Sequence, residues 1–305
     1  MTDTLNPAPT LTTRLINGVL AIQPLAKWAK RQARQMMVER AEKLGVPWRE
    51  EAAALRRRDL ETLHQTLENP DLVYPEYYLT SFHAYEEGNM SWEVATEVEV
   101  ASKAVHASIW PEEGVRGDTK LRQNFCNILK ERLPVPPKNI VDIGSSVGLT
   151  TFYLHALYPE AKLTGVDLSP YCLAVGASRS QERNIEVNWV HAAGEATGLP
   201  EVSFDLVTLV LVCHELPIAA SCAIFREAHR LLRSGGHLAI MEMNPKSEVF
   251  AQFPPYVMAL LKSTEPYLDE YFALDMEGEL VKAGFDTPTI DDNSPRHRTV
   301  IAVKP

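Results

Sequence analysis

Cysteine is scarce: Cys126, Cys172, Cys213 and Cys222 are the only four, and no two form a C-x-x-C pair. That spacing argues against a zinc knuckle or a dithiol redox motif and reads as free thiols in a reducing compartment. The nine histidines are scattered without an H-x-x-x-H pair, so no metal is expected. Long apolar runs are missing too. The longest, Leu206 to Cys213, sits between Asp205 and His214 and is far too short to span a bilayer. No secretory pattern is visible, which makes the cytoplasm the expected location. A formal net charge of -10 argues against attraction to nucleic acid. A G-x-G-x-x-G phosphate loop is absent as well, which counts against a nicotinamide-dependent oxidoreductase.

What is present is an ordinary globular composition, 45% hydrophobic and 23% charged over 305 residues, enough for one large core with a helical attachment. Residues 1–14 are Thr- and Pro-rich and read as a flexible terminus. Residues 15–118 read as a helical and aromatic N-terminal extension. Between residues 27 and 58 it carries ten Lys or Arg against four acids. The basic helix over 25–58 either lies on an anionic membrane surface, docks a partner, or answers the acidic remainder of the chain. Residues 71–118 are rich in aromatics, among them Tyr74, Tyr77, Tyr78, Tyr85 and Trp92. Such rings either cover a pocket or attach the extension to the core, and Tyr85 is a candidate substrate contact.

From 119 onward an amphipathic helix (Leu121, Phe125, Ile128, Leu129) leads into alternating strands and helices, the signature of an α/β sheet. Strands are expected at 139–143, 162–167, 185–191, 204–213 and 237–243, with helices over about 150–157, 170–182 and 218–232. A turn at Ser234-Gly235-Gly236 precedes the fifth strand. An irregular insertion over about 245–280 is followed by a closing antiparallel hairpin, 287–290 with 299–303. The organising stretch is Asn139-Ile140-Val141-Asp142-Ile143-Gly144-Ser145-Ser146-Val147-Gly148. It is a buried strand running into a small-residue loop, with Thr150 or Thr151 placed to cap the next helix. In open α/β sheets ligands sit over the carboxyl ends of the strands. The leading acid, Asp142, would repel a pyrophosphate and suits an ammonium or sulfonium. Asp167 ends the second strand, where a carboxylate accepts ribose hydroxyls.

The run Asp142-x-Gly144-x-Ser146-x-Gly148 resembles the first motif of the class I S-adenosylmethionine (SAM) dependent methyltransferases, with Ser146 in place of the central glycine. Two further stretches look like this family: Ala193-Gly194-Glu195 with Leu199-Pro200 and Phe204-Asp205-Leu206-Val207, and the turn Leu231-Leu232-Arg233-Ser234-Gly235-Gly236. The resemblance implies a doubly wound, Rossmann-like sheet over 119–305, SAM as cofactor and methylation of a small molecule. It also implies ribose binding by Asp167, packing of Leu168 on adenine, and a methionine amino contact for Asp142. Gly144, Ser146 and Gly148 would form the loop, and Gly194 a backbone contact. Ala193 stands where the family has an acid, so Glu195 is the substitute candidate for the adenine amino group.

The fourth strand ends in Cys213-His214-Glu215-Leu216-Pro217 and lacks the [D/N]-P-P-[Y/F] of nucleobase N-methyltransferases. It is similar to the small-molecule branch, type 11/25-like, which includes quinone-ring C-methyltransferases. His214 is the candidate base, because imidazole titrates near neutrality; a structural hydrogen bond is the alternative. Glu215 is either its catalytic partner or a helix-start carboxylate. In the insertion, Glu265, Tyr267 and Tyr271 are candidate substrate contacts. The N-terminal part looks like an extension of plant and cyanobacterial relatives, which leaves a plastid location open. A non-catalytic SAM-binding or membrane-docking protein is the competing functional class.

Overall fold

The computed structural model describes residues 23–80, 85 and 87–305. The terminus at 1–14, residues 15–22 of the expected extension, and Phe82 and His83 of the aromatic stretch lie outside them. The described chain opens with three helices, α1 (Gln23–Lys43), α2 (Trp48–Arg56) and α3 (Leu60–Leu67). Asp59 caps α3 by accepting the Thr62 N–H. Ser91 likewise caps α4 (Trp92–His106), and α5 (Gly117–Arg132) follows.

The core alternates as expected: β1 (Asn139–Ile143), α6 (Leu149–Leu157), β2 (Lys162–Asp167), α7 (Pro170–Arg183), β3 (Val187–His191), β4 (Phe204–Val210), α8 (Ile218–Leu231) and β5 (Leu232–Met243). The insertion folds into α9 (Glu248–Ala251), α10 (Pro255–Thr264), α11 (Leu268–Ala273) and α12 (Met276–Lys282). The chain closes with β6 (Thr289–Ser294) and β7 (His297–Val303).

The seven strands form one sheet in the order β3-β2-β1-β4-β5-β7-β6. The first five are parallel, while β7 runs antiparallel to β5 and β6 antiparallel to β7. This is the doubly wound, Rossmann-like sheet with its C-terminal hairpin. Alternate residues of each strand serve opposite faces, as the period of two requires. Val141, Val207 and Leu238 meet Phe225 and Leu231 of α8 and Leu268 of α11. Ile140, Leu206 and Ala239 meet Leu121, Phe125 and Leu129 of α5 and Leu154 of α6. Helices on both faces explain why these strands read as nearly unbroken apolar runs.

The extension packs onto this body through α3 and α4. Val38, Ala41 and Trp48 meet Val100 and Ala104, while Leu55, Leu60 and Ala95 meet Val147, Cys172 and Val175. The buried Glu97 accepts from Arg34 at 2.6 and 2.7 Å, from Arg56 at 2.8 Å and from Tyr85 at 3.0 Å. Arg58 pairs with Glu182 of α7 at 3.0 Å. These basic side chains therefore answer acids of the same chain. Among the described residues, no helix is long and apolar enough to cross a membrane.

Three local expectations change. β4 stops at Val210, because Leu211 takes a left-handed φ of 59° and Cys213–Glu215 form a 3₁₀ turn. The Ser234-Gly235-Gly236 turn lies inside β5, as an irregularity between the Phe204–Leu232 and Leu206–His237 pairings. Neither Thr150 nor Thr151 caps α6; Gly148 holds the cap position at φ 82° and both threonines turn inward.

Phe125 is fully buried between α5 and the sheet. Phe125→Ala is expected to lower unfolding free energy by about 3–5 kcal/mol, read by urea denaturation.

Candidate active site

At the end of β1 the backbone folds back over β2. The N–H groups of Gly144 and Ser145 both reach the Val166 carbonyl, at 2.8 and 3.0 Å. A Cβ at Gly144, whose φ is 71°, would collide with the Val212 side chain, so only glycine lets the loop lie against the tip of β4. Ser146 adopts a left-handed φ of 49°, the conformation for which glycine is the usual choice. Its N–H donates to Asp167 Oδ2 at 2.7 Å, and the Ser169 N–H donates to Oδ1 at 2.8 Å. Burial raises the Asp167 carboxyl to about 6, against these hydrogen bonds, which lower it.

Asp142 is buried, and its oxygens accept the hydroxyls of Thr151 and Thr208, each at 2.7 Å. Burial pushes its pKa up while the two hydroxyls hold it down. Its first role is thus structural, tying α6 and β4 to β1. Two buried polar atoms of this region, Ser145 Oγ and Glu195 Oε2, have no hydrogen-bond partner among the described residues. Buried polar atoms are ordinarily paired, so such orphans fit a polar ligand lying here. The other Glu195 oxygen accepts from Tyr77 at 2.8 Å. Leu168 and Ala193 pack with Tyr78, so residues of the extension close over this half of the crevice.

Beyond β4 lies His214. Its Nδ1 is 2.9 and 3.0 Å from the two oxygens of Glu242, and Oε2 also accepts the His214 backbone N–H at 3.3 Å. Glu242 sits on β5 with no exposed surface. Burial alone would lower the imidazole pKa; the charge and hydrogen bond of Glu242, reinforced by Glu265 and Glu215, push it up to about 9. Asn89 Nδ2 donates to Glu215 at 2.9 Å. A further histidine, His297 on β7, is held well below its usual pKa, first by burial and then by His106, Arg296 and His214.

A cavity of about 590 Å³ joins these parts. It brings together Asp142, Gly144, Ser146, Asp167, Leu168, Gly194 and Glu195 with His214 and Glu215. Tyr85 and Glu265 also line it. Three candidates lie elsewhere. Gly148 supports the loop from beneath, where a Cβ would meet Trp189 and Phe152. Tyr267 stands outside the cavity, edge-on to Tyr77 at 6.5 Å between ring centroids. Tyr271 is a core residue, 1% exposed, with its hydroxyl donating to the Met243 carbonyl.

Sequence reading passed over Glu242 and Arg122. An acid inside the apolar run Leu238 to Met243 was the available signal for the first. Arg122 is buried on α5, donating to Asp118 at 3.2 Å and to Thr150 Oγ1 at 2.5 Å, and it reaches the cavity. An arginine beside Leu121 in an amphipathic helix carried no distinguishing pattern.

Residues 140–236, the span from β1 to the glycine turn in β5, match a family described as "Methyltransferase domain". Over that span the chain is similar to class I SAM-dependent methyltransferases. Demethylmenaquinone methyltransferase of Thermus thermophilus is 27% identical over 128 residues, which cover 42% of this chain and 56% of that protein. The ubiquinone/menaquinone biosynthesis C-methyltransferase UbiE of Shewanella woodyi is 26% identical over 173 residues, 50% of this chain and 67% of that protein. The chain thus spans little more than half of the first relative and two thirds of the second. In fold, the sheet with its preceding helices is similar to a candidate O-methyltransferase from Nostoc punctiforme. That match has a TM-score of 0.55 and 18% identity, over 83% of this chain and 72% of the other.

The His214–Glu242 pair has a pH signature. Because the folded pKa is raised, the stability it contributes is full below the unfolded value of about 6.5 and is lost as pH rises through about 9. In Glu242→Gln the burial effect is left with weaker opposition. Imidazole NMR should then show His214 titrating at least one pH unit lower than in the parent, and the alkaline loss of stability should shrink.

Proposed function

We propose that this chain transfers a methyl group from SAM to a small-molecule acceptor held above the tip of β4. One observation carries the reading: a donor-type crevice at β1 and β2 and a buried His–Glu pair at β4 and β5 open into the same cavity. The catalytic unit is placed at 119–305, with the preceding helices as its cover.

On the donor side, Asp167 takes the ribose hydroxyls and Leu168 lies against the adenine beside Tyr78. Gly194 offers its backbone N–H, and the orphan oxygen of Glu195 is placed for the adenine amino group. Arg122, next to Thr150 at the start of α6, offers a cation to the donor's carboxylate. Ser145, with its unpartnered hydroxyl, completes this shell. When bound, SAM supplies an electrophilic methyl whose bond to sulfur breaks with its electron pair passing to sulfur, leaving a neutral thioether. The acceptor's lone pair forms the new bond. The proton that the acceptor loses passes to the His214 imidazole, whose bond to Glu242 fixes the ring and stabilises the charge it gains. Glu215 and Glu265 are the nearby carboxylates, and burial strengthens the influence of each. The aromatic and apolar cover excludes water from an in-line displacement that chiefly needs alignment.

The names of the two relatives, a demethylmenaquinone methyltransferase and a C-methyltransferase of ubiquinone/menaquinone biosynthesis, support an acceptor with an acidic hydroxyl or activated carbon. Such an acceptor gives His214 a proton to remove.

Two measurements test this. S-adenosylhomocysteine (SAH) should bind by calorimetry with constant affinity above about pH 7 and weaken as pH falls through about 6, where Asp167 takes up a proton; Asp167→Ala should show no measurable binding. Turnover on a metabolite extract, read as SAH release, should rise with pH toward about 9, as His214 loses its proton. His214→Asn should slow turnover about 10²–10⁴-fold while keeping SAH affinity; unchanged turnover would remove the base.

A further inference from the structure

Two histidines border the cavity and take no part in the chemistry above: His106, at the end of α4, and His297, at the start of β7. Both are buried, and their rings meet edge to face with centroids 5.7 Å apart. His297 lies opposite Met243, the residue after Glu242 on β5, and His214 is among the charges that act on it. Asp118 binds His106 and Arg122 together, which ties the two rings to the cation proposed for the donor's carboxylate.

The hydrogen bonds fix where the proton of each ring sits. Against its burial, which raises it, Arg122, His106 and Ser102 hold the Asp118 carboxyl well below its ordinary range. A carboxylate only accepts, so His106 Nδ1, 2.7 Å away, carries the proton and donates. Ser294 Oγ already accepts the backbone N–H groups of Arg296 at 3.1 Å and of His297 at 3.0 Å. Both its lone pairs are then engaged, so its O–H donates to His297 Nδ1 at 2.7 Å. Burial lowers both imidazoles, outweighing Asp118 at His106 and joined by His106, Arg296 and His214 at His297. Both rings are therefore neutral at about pH 7. His106 is left with a bare Nε2 acceptor, and His297 with an Nε2–H donor. Neither Asp118 nor Ser294 lines the cavity, so the bonded Nδ1 edges turn away from it. Neither Nε2 makes a hydrogen bond to a described residue. Buried polar atoms are ordinarily paired, so a donor and an acceptor left open side by side fit a ligand group that is both.

Resting on the methyl-transfer reading, we propose that His106 and His297 form a hydroxyl-reading subsite for the acceptor. His106 Nε2 accepts the O–H, and His297 Nε2–H donates to the same oxygen. A methyl ether brings no proton to His106, a carboxylate opposes its lone pair, and an ammonium offers nothing to the His297 N–H. The two rings are positioning residues. They orient the acceptor for His214 and take no proton from it, because burial has weakened both as bases.

The test is imidazole nitrogen NMR on the full chain at about pH 7, saturated with SAH. His106 should carry its proton on Nδ1 and His297 on Nε2; the opposite tautomer on either ring, or a charged ring, overturns the subsite. Phenol, anisole and benzoate are then titrated in. Phenol should move both Nε2 signals along one saturation curve, while anisole and benzoate leave them in place. His297→Phe keeps the ring bulk and loses the donor, and should weaken phenol binding about three- to tenfold. His297→Gln, whose amide N–H stands near the Nε2 position, should restore it, which a merely structural role would not. Equal responses to all three probes, full phenol affinity in His297→Phe, or no response to any probe overturns the proposal; the last result means that the rings hold only water. Failure of SAH to bind, read by calorimetry, overturns both readings. With SAH bound, each failure above counts against the subsite alone.

Discussion

A carboxyl group buried in the middle of a parallel sheet is an expensive feature, and this molecule is arranged around one. Asp142 has 2% of its surface exposed, at the point where β1 lies between β2 and β4. Removing it from water without partners would cost several kcal/mol. The hydroxyls of Thr151 and Thr208 meet that cost, and in doing so they join α6 to β1 and β1 to β4. The loop from Gly144 to Gly148 is then pinned at both ends. With the loop pinned, its N–H groups and the Asp167 carboxylate face one crevice, at the place where strand order reverses and α/β sheets bind ligands.

The same device recurs across the cavity. Glu242 on β5 is wholly buried and bonded to His214, whose short 3₁₀ turn exists because the chain leaves β4 at Leu211. In the extension, Glu97 gathers Arg34, Arg56 and Tyr85 and so ties α1 and α2 to α4. Breaking a buried pair by removing one partner is far more costly than the pair's net worth, so such contacts act as registration points for whole elements. Three acids, each with its own partners, thus position the crevice at β1 and β2, the His–Glu pair and the helices that cover them. Burial also shifts the groups that matter to chemistry, moving the Asp167 carboxyl and the His214 imidazole upward from their ordinary values.

Much of this was readable along the chain. The strands β1, β2 and β5 and the helices around them follow from apolar runs, caps and glycine turns, all of which act over a few residues. Asp142, Gly144, Ser146 and Asp167 were legible as a set because one loop and the next strand end place them within 25 residues. Legibility failed where a side chain's surroundings come from distant segments. Tyr271 and Tyr267 have the composition of a substrate lid, yet α11 turns Tyr271 into the core toward Met243, 28 residues away. Thr150 and Thr151 have the right chemistry for a cap, but the left-handed Gly148 brings them inside, where Arg122 and Asp142 use their hydroxyls.

The sequence by itself determined the element types, the parallel core with its antiparallel closing hairpin, and the loop chemistry suited to a sulfonium donor. Those properties rest on local periodicity and on the backbone freedom of particular small residues. Only the tertiary structure decided that His214 answers to Glu242 and that residues of α4 and α10 line one cavity. It also decided that Arg34, Arg56 and Arg58 of the extension pair within the chain. Pairings of this kind span from 28 to more than 100 residues, and they are chosen by which buried charge or apolar face is left without a partner once the sheet has formed. No window of sequence short enough to read by pattern contains both halves.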